Sequence, residues 1–463
     1  MEVFLSTLKA IIDNLGATVA LPIIIFFVAW ALGAKPSRAF RAGVTIGIAF
    51  IGINLVIGLM WTSLSDVSQA IVKNTGITRD VVDVGWPSAA AIAFGSSVGL
   101  WVIPLTLVIN IIMLVANLTK TLDIDIWNYW HFAFIGSLVV AATDNLAMGM
   151  VAAGIAAVLA LFLADWTAKA VQHFYNLPGI SIPHLTTAPG VPIAIVVNWI
   201  VDRIPGLRDW DWDPDHIQKR LGVVGEPVVM GLVIGLGLGI LGYYNAGGPQ
   251  DVLVKVLKTG MNLAAVMVLL PRMVQILMEG LIPVSEAARD FMQKRASHRE
   301  IYIGLDSAIL IGHPSAIASS LILVPIAIFL SAVLPGNHVI LFADLAVIPF
   351  VVAMFAPLMN GNILRMVLAG ILELGMGFYI ATGMADLFTS AAVASGFQIP
   401  PNAVKITSIA DGFLWPPFVF VKAVQWGGWI GLAVLLVLIG LAMYFYMKNP
   451  KAWERIAGAP EEA

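Results

Sequence analysis

Ten apolar runs, near residues 15–33, 42–61, 98–117, 132–164, 223–244, 260–283, 301–332, 338–358, 363–384 and 428–447, recur along the chain. Each is at least about as long as the roughly 20 residues a helix needs to cross a bilayer. No single water-soluble core could hide them all, so lipid is the natural solvent for this chain. Inside lipid every backbone N–H and C=O must be paired within its own segment, which leaves helices, because barrel strands would alternate apolar and polar residues. The composition agrees, with 59% hydrophobic and 11% charged residues, against about a quarter charged in an ordinary soluble domain. The 463 residues accommodate about ten to twelve crossings with their loops, and a large soluble domain does not fit as well. The first run, from Leu15 to Gly33, follows Glu2 rather than a basic stretch, so it reads as a retained helix and not a cleaved signal.

The few charges set the orientation. Basic residues gather at Lys35, Arg38 and Arg41, at Arg289, Lys294, Arg295 and Arg299, and at Lys448, Lys451 and Arg455. The positive-inside rule puts all three places in the cytoplasm, which makes this a multi-pass membrane protein with its N-terminus outside and its C-terminus inside. An odd number of crossings follows, and about eleven fits the runs. The semi-polar stretches 62–86, 165–181 and 202–221 read as interfacial helices and loops with Trp anchors. A net charge of −3 without a basic patch gives nucleic-acid binding no support. The absence of cysteine excludes disulfides, thiolate metal sites and any phosphocysteine on this chain.

An internal echo divides the chain. Trp86-Pro-Ser-Ala-Ala-Ala returns as His313-Pro-Ser-Ala-Ile-Ala, each followed by an apolar run with a further proline, Pro104 or Pro325. In the same order, Asn145-Leu-Ala-Met-Gly-Met-Val-Ala-Ala-Gly-Ile parallels Asn362-Ile-Leu-Arg-Met-Val-Leu-Ala-Gly-Ile. Residues 1–215 and 216–463 therefore read as two repeat halves of one membrane domain. Proline-interrupted segments at matching places in two halves point to a transporter site built from broken helices. At such breaks unpaired backbone groups and half-helix ends can bind a polar solute. Pro87 and Pro314 are expected at the breaks.

A charge at the bilayer centre costs about 2.5 to 3.5 kcal/mol on insertion scales, so each polar residue within apolar sequence invites a functional reading. His131 follows Asp125-Ile-Trp-Asn-Tyr-Trp and opens an apolar run, where it is either a site residue or part of an aromatic belt. Asp144 and Asn145 interrupt another, and read as site residues rather than a surface turn. His184 sits in Gly179-Ile-Ser-Ile-Pro-His-Leu-Thr-Thr-Ala-Pro-Gly, a non-helical patch expected to line a cavity. Asp306 and His313 flank the second broken segment, and Asp411 precedes Leu414-Trp-Pro-Pro. Glu226 opens a helix, where a carboxylate needs only a structural reason. Metal binding by His131, His184 and His313 has no supporting ligand spacing.

Val82-Asp-Val-Gly-Trp-Pro, Asp125-Ile-Trp-Asn-Tyr-Trp-His, Gly179-Ile-Ser-Ile-Pro-His, Gly225-Glu-Pro, Ile303-Gly-Leu-Asp-Ser-Ala-Ile-Leu-Ile-Gly-His and Leu334-Pro-Gly-Asn together resemble the galactitol-type enzyme IIC of the bacterial phosphotransferase system. The resemblance runs from about residue 10 to 450 and extends to the ascorbate-type IIC proteins. It implies an all-α membrane protein with two inverted repeats, re-entrant hairpins, a scaffold and a moving core, assembled as a homodimer. It also implies uptake of an alditol by an elevator motion, and phosphorylation by a separate IIB protein that carries phosphate on cysteine and is served by IIA. No cofactor or metal is called for. Thr143-Asp-Asn-Leu departs from the smaller, less acidic residues of the galactitol proteins, and the C-terminal quarter matches loosely, so another alditol or a related sugar stays within the reading.

A neutral polyol must find a partner for each hydroxyl, at about 1 to 3 kcal/mol for each one left unpaired. The expected lining is Trp86 beneath the carbon chain, with His131, Asp144, Asn145, His184, Asp306, His313, Asn362 and Asp411 around it. His184 or Asp306 would be the base for phosphoryl transfer. The rival reading is an ion-coupled secondary transporter with Asp144 or Asp306 as its ion site.

Overall fold

The computed structural model describes residues 17–31, 33–75, 79–125, 128–210, 212, 227–295, 300–341, 343–399 and 403–461. The readings of Leu15, Glu226, Arg299 and the stretch 213–221 lie outside the described residues, as do the side chains of Arg289, Lys294 and Arg295. In chain order the first part contains α1 (Ala17–Ala31), α2 (Pro36–Thr75), β1 (Val81–Asp83), α3 (Trp86–Gly95), α4 (Gly99–Val115), β2 (Thr121–Asp123), α5 (Asn128–Thr143), α6 (Leu146–Phe174), β3 (Ile180–Ser181) and α7 (Val191–Val201). There follow α8 (Pro227–Tyr243), α9 (Pro249–Arg295), β4 (Tyr302–Gly304), α10 (Pro314–Val333), β5 (Val339–Ile340), α11 (Ile348–Ala353), α12 (Phe355–Leu358), α13 (Ile363–Ala394), β6 (Lys405–Thr407), α14 (Ile409–Gly412), α15 (Trp415–Lys448) and α16 (Pro450–Ile456).

Among the described residues six helices are long and apolar enough to cross a membrane: Pro36–Ile71, Leu146–Phe174, Pro249–Leu270, Pro314–Val333, Ile363–Ala394 and Trp415–Lys448. Shorter apolar helices cover Trp101–Val115, Ala188–Val201 and Gly231–Tyr243. The helical membrane fold expected from the runs is therefore present. Several boundaries moved for local reasons. The run 132–164 is divided between α5 and α6 at Asp144, whose φ of 51° no helix can hold. The stretches after Met60 and Ala164 are not separate interfacial helices but the ends of α2 and α6. The run 338–358 holds a strand, a 3-10 turn and two short helices. Asn337 there gives its amide to the Ser331 and Val339 carbonyls, and Asp344 ties the backbone to Asp83.

Helices α1, α2, α8 and α9 pack chiefly on one another. Small residues permit the approach: Gly231, Gly235 and Gly239, each one turn from the next on α8, face α9, and an added Cβ would meet its backbone or Met267 at 2.7 to 2.9 Å. In lipid such close backbone contact is the main source of helix association. The remaining helices surround two small parallel sheets.

The sheets exchange strands between the two parts of the chain. One has the order β5-β1-β6, so β1, which leads to Trp86-Pro, lies between two strands from beyond residue 330. The other has the order β2-β4-β3, so β4, which leads to His313-Pro, lies between two strands from before residue 190. Asp165, buried in α6, fastens the second sheet by accepting the Thr119 hydroxyl at 2.7 Å, the Lys120 amide at 3.0 Å and the Thr121 hydroxyl at 2.8 Å. Such strands, two or three residues long, are too short to show alternation in the sequence. The first sheet lies at the start of α15, and α16 at its far end packs on α6 through the Trp166 indole, which donates to the Trp453 carbonyl at 2.7 Å.

Candidate functional site

The site grows from the exit of β2. Asp123 turns the chain by accepting the Asp125 amide at 3.0 Å. The Asn128 amide donates to Asp123 at 3.0 Å and to the Pro183 carbonyl, while its oxygen accepts the Leu185 amide at 3.3 Å. One residue at the start of α5 thus clamps the irregular chain around His184. The prolines and hydroxyls of that stretch keep it out of a regular helix.

The clamp brings two histidines together. His184 Nδ1 lies 2.7 Å from Asp125 Oδ2 and 3.8 Å from Asp306 Oδ1. His131 Nδ1 lies 3.0 Å from Asp411 Oδ2. The two Nε2 atoms face each other at 3.3 Å with the rings nearly perpendicular, at 86°. Thr186 Oγ1 reaches His131 Nε2 at 3.1 Å. His131, His184, Asp125 and Asp411 are all buried. Asp306 approaches from the turn after β4, where it also accepts the Ala308 amide at 2.8 Å. The Trp415 indole donates to the Pro189 carbonyl at 2.8 Å and closes the segment against the start of α15.

Several buried polar atoms here have no hydrogen-bond partner among the described residues: Thr187 Oγ1, Ser307 Oγ, Asp411 Oδ1 and, from α13, Glu373 Oε2. Glu373 lies against Gly190, where an added Cβ would come within 2.8 Å of its carboxylate. Each unpartnered group costs about 1 to 3 kcal/mol unless something else satisfies it. The donor atoms of Asp125, His184 and Asp306 fall within 4.8 Å of one another, close enough to hold an ion. The 2.7 Å between Asp125 and His184 is that of a hydrogen bond. This set differs from the three histidines weighed on sequence, since His313 lies elsewhere.

The other expected residues have local duties. Trp86 is half-buried at the first turn of α3, its amide donating to Asp344 at 2.7 Å. Asp344 also accepts the Ser408 hydroxyl and the Ile409 amide. His313 caps α10, accepting the Ser315 amide at 3.2 Å, and its ring packs against Phe174 and Tyr175. Asn145 caps α6, accepting the Met148 amide at 3.0 Å. Asp144 is exposed in the turn before it, so the surface turn set aside on sequence is what this residue adopts. Asn362 caps α13 and donates to the Trp210 carbonyl at 2.6 Å. Pro87 and Pro314 stand at helix starts, where a missing N–H costs nothing, and not in helix interiors. Asp125, Thr186, Thr187 and Glu373 were not singled out on sequence, although a lone carboxylate in the apolar run of α13 carried the signal. An open cleft of about 480 Å³ beside Arg79, Asp80 and His338 contains none of the clustered residues.

Comparison with known proteins decides the family. Residues 10–403 match the EIIC-GAT family, described as the sugar-specific permease component of the phosphotransferase system. The chain is a member of that family. The permease is 37% identical over 438 residues to a putative permease IIC component of Escherichia coli K12, covering 94% of this chain and 98% of that protein. It is 39% identical over 393 residues to the galactitol-specific EIIC component of the same strain, covering 85% of each chain, and equally similar to that of Escherichia coli O157:H7. The resemblance drawn from the motifs is thereby borne out. The permease is a multi-pass membrane protein, and as a IIC component it works with IIA and IIB subunits.

Proposed function

We propose that this permease imports galactitol or a closely related alditol across the bacterial inner membrane and presents it to a phosphocysteine on a separate IIB protein, served in turn by IIA. The observation that carries the reading is the cluster of buried His131, His184, Asp125 and Asp411 with half-buried Asp306, flanked by hydroxyl and carboxylate oxygens without partners among the described residues. Neutral imidazoles both donate and accept, as an alditol hydroxyl does. Such a set can replace the water around a polyol without paying for an unpaired charge. The named specificity of the 39% identical relatives supports galactitol.

His184 and Asp306 are the proposed contacts to the reacting hydroxyl, with Thr187 and Ser307 around the others and Trp86 beside the carbon chain. The reciprocal strand exchange of the two sheets supports two inverted repeats, 1–215 and 216–463, both of which contribute residues to the one site. The grouping of α1, α2, α8 and α9 apart from the sheets supports a scaffold against which the rest slides as an elevator, in a homodimer. Lys35 precedes and Arg38 and Arg41 lie in the first turns of α2, which leads to the first sheet, and Lys451 and Arg455 lie past the far end of α15 from it. That arrangement supports a cytoplasmic C-terminus and an odd number of crossings, with about eleven proposed. The test is uptake of radiolabelled galactitol by cells carrying the permease with and without its IIB. Accumulation of the phosphate ester only with IIB is expected, and accumulation of free galactitol without IIB would instead favour an ion-coupled transporter.

A further inference from the structure

We infer that Asp125, His184, His131 and Asp411 form a single proton-holding chain in which His131, Asp411 and Thr186 position His184 as the base for phosphoryl transfer. The inference rests on the permease reading above and deepens it. Each histidine has a carboxylate on Nδ1, at 2.7 Å for Asp125 and 3.0 Å for Asp411. A carboxylate is an acceptor only, so each Nδ1 carries the proton and each Nε2 a lone pair. The two Nε2 atoms then lie 3.3 Å apart with no proton between them, a contact that lacks one hydrogen bond donor. The Thr186 hydroxyl, 3.1 Å from His131 Nε2, can donate to that side. Among the described residues His184 Nε2 then remains the unsatisfied acceptor of the pair. Its need is met by a hydroxyl O–H from the solute, or by the proton taken from it.

The transfer balances on this arrangement. The solute hydroxyl oxygen attacks phosphorus on the IIB phosphocysteine; an O–P bond forms, the S–P bond breaks, and sulfur leaves as thiolate. The hydroxyl proton passes to His184 Nε2, which can hold it against His131 Nε2 in the hydrogen bond that was missing. Asp125 and Asp306 face His184 from β2 and the turn after β4, and Asp411 faces His131 from α14. Asp123 stands behind Asp125, and Asp344 is bonded to Ser408 and Ile409 just ahead of Asp411. These carboxylates supply the counter-charge to the shared proton. Two histidines held this way, one from α5 and one from the clamped loop, are more than a binding pocket for a neutral solute requires.

The experiment measures kcat and KM for galactitol phosphorylation in inverted vesicles holding the full-length permease, with phosphorylated IIB, across pH. Solute binding to the purified protein is measured beside it. In Asp411→Asn the side chain keeps its size and an acceptor but loses its charge. The expected result is a fall in kcat of roughly 10²-fold or more with KM and binding within about threefold, and a displaced pH profile. Asp411→Glu should recover part of the rate. His131→Gln and Thr186→Val provide the same readout if Asp411→Asn does not accumulate. Wild-type kcat and pH profile in these variants, or binding that falls by the same factor as turnover, would overturn the chain while leaving the permease reading intact. Absence of any phosphorylation by the wild type would sink the permease reading instead.

Discussion

His131 Nδ1 and Asp411 Oδ2 lie 3.0 Å apart in the buried centre of the permease although 280 residues separate them in the chain. Neither half of the sequence can make this pair alone. The exchanged strands bring the halves together, since β6 leads into α14 and Asp411 while β2 leads into α5 and His131. The same strands should therefore govern both stability and chemistry.

Asp165 tests the stability side. Its carboxylate is buried and receives three hydrogen bonds from residues 119 to 121, and Thr121 is bonded onward to Ser181 at 2.8 Å. Asp165→Leu leaves these donors without their acceptor and should lower the stability of the detergent-purified protein by about 3 kcal/mol or more. Thermal unfolding measures it, and an unchanged midpoint would show that the fastening is dispensable.

Gly304 tests the sheet itself. A Cβ there would meet the Asp123 backbone at 3.0 Å and Pro183 at 2.9 Å. Backbone on one side cannot move without parting β4 from β2. Gly304→Ala should reduce the yield of folded protein and weaken galactitol binding, because Asp125, His184 and Asp306 all hang from these strands. Wild-type binding in a well-folded Gly304→Ala protein would contradict the close approach.

Glu300 supplies a pH dependence outside the spans. Burial alone would raise its carboxyl, but bonds from the Tyr302 hydroxyl, Lys169 and Lys120 outweigh it and hold the group at about 2, below the ordinary 4.5. The folded value lies under the unfolded one, so the stabilisation is complete above about 4.5 and is lost as pH falls from there towards 2. About half of the side chain is exposed at 52%, which limits the effect to about 1 kcal/mol. The difference in unfolding midpoint between wild type and Glu300→Gln should be steady near neutrality and shrink on acidification. A difference that grows towards low pH would reverse the assignment.

Orientation can be read with single thiols, because the chain has no cysteine. Asp386, paired with Lys405 at 2.9 Å, lies at the first-sheet end, whereas Lys451 lies beyond the far end of α15. An impermeant thiol reagent applied to intact cells should label Asp386→Cys and spare Lys451→Cys. The opposite pattern would invert the proposed topology.

The apolar runs made the helical membrane fold legible, because hydrophobic length is a property of local sequence. His131, His184, Asp306 and Asp411 were legible as polar groups in apolar surroundings, and the structure brings all four into one cluster. The same signal also picked out Asn145, His313 and Asn362, which cap helices. A cap within apolar sequence looks like a site residue until the helix start beside it is known. Asp125 lay in a quoted motif, yet its bond to His184 spans 59 residues and leaves no periodic trace. The strands were illegible for a different reason: two or three residues have no period to read.

The central claim is that His184 takes the solute hydroxyl and its proton. The most direct measurement is galactitol binding by the purified permease beside IIB-dependent phosphorylation in vesicles, for wild type, His184→Ala and His184→Gln. The expected result is that His184→Ala folds yet loses most binding and nearly all product, while His184→Gln keeps part of the binding and loses phosphorylation by roughly 10²-fold or more. Wild-type binding and phosphorylation in His184→Ala would contradict the account and return His184 to a purely structural role.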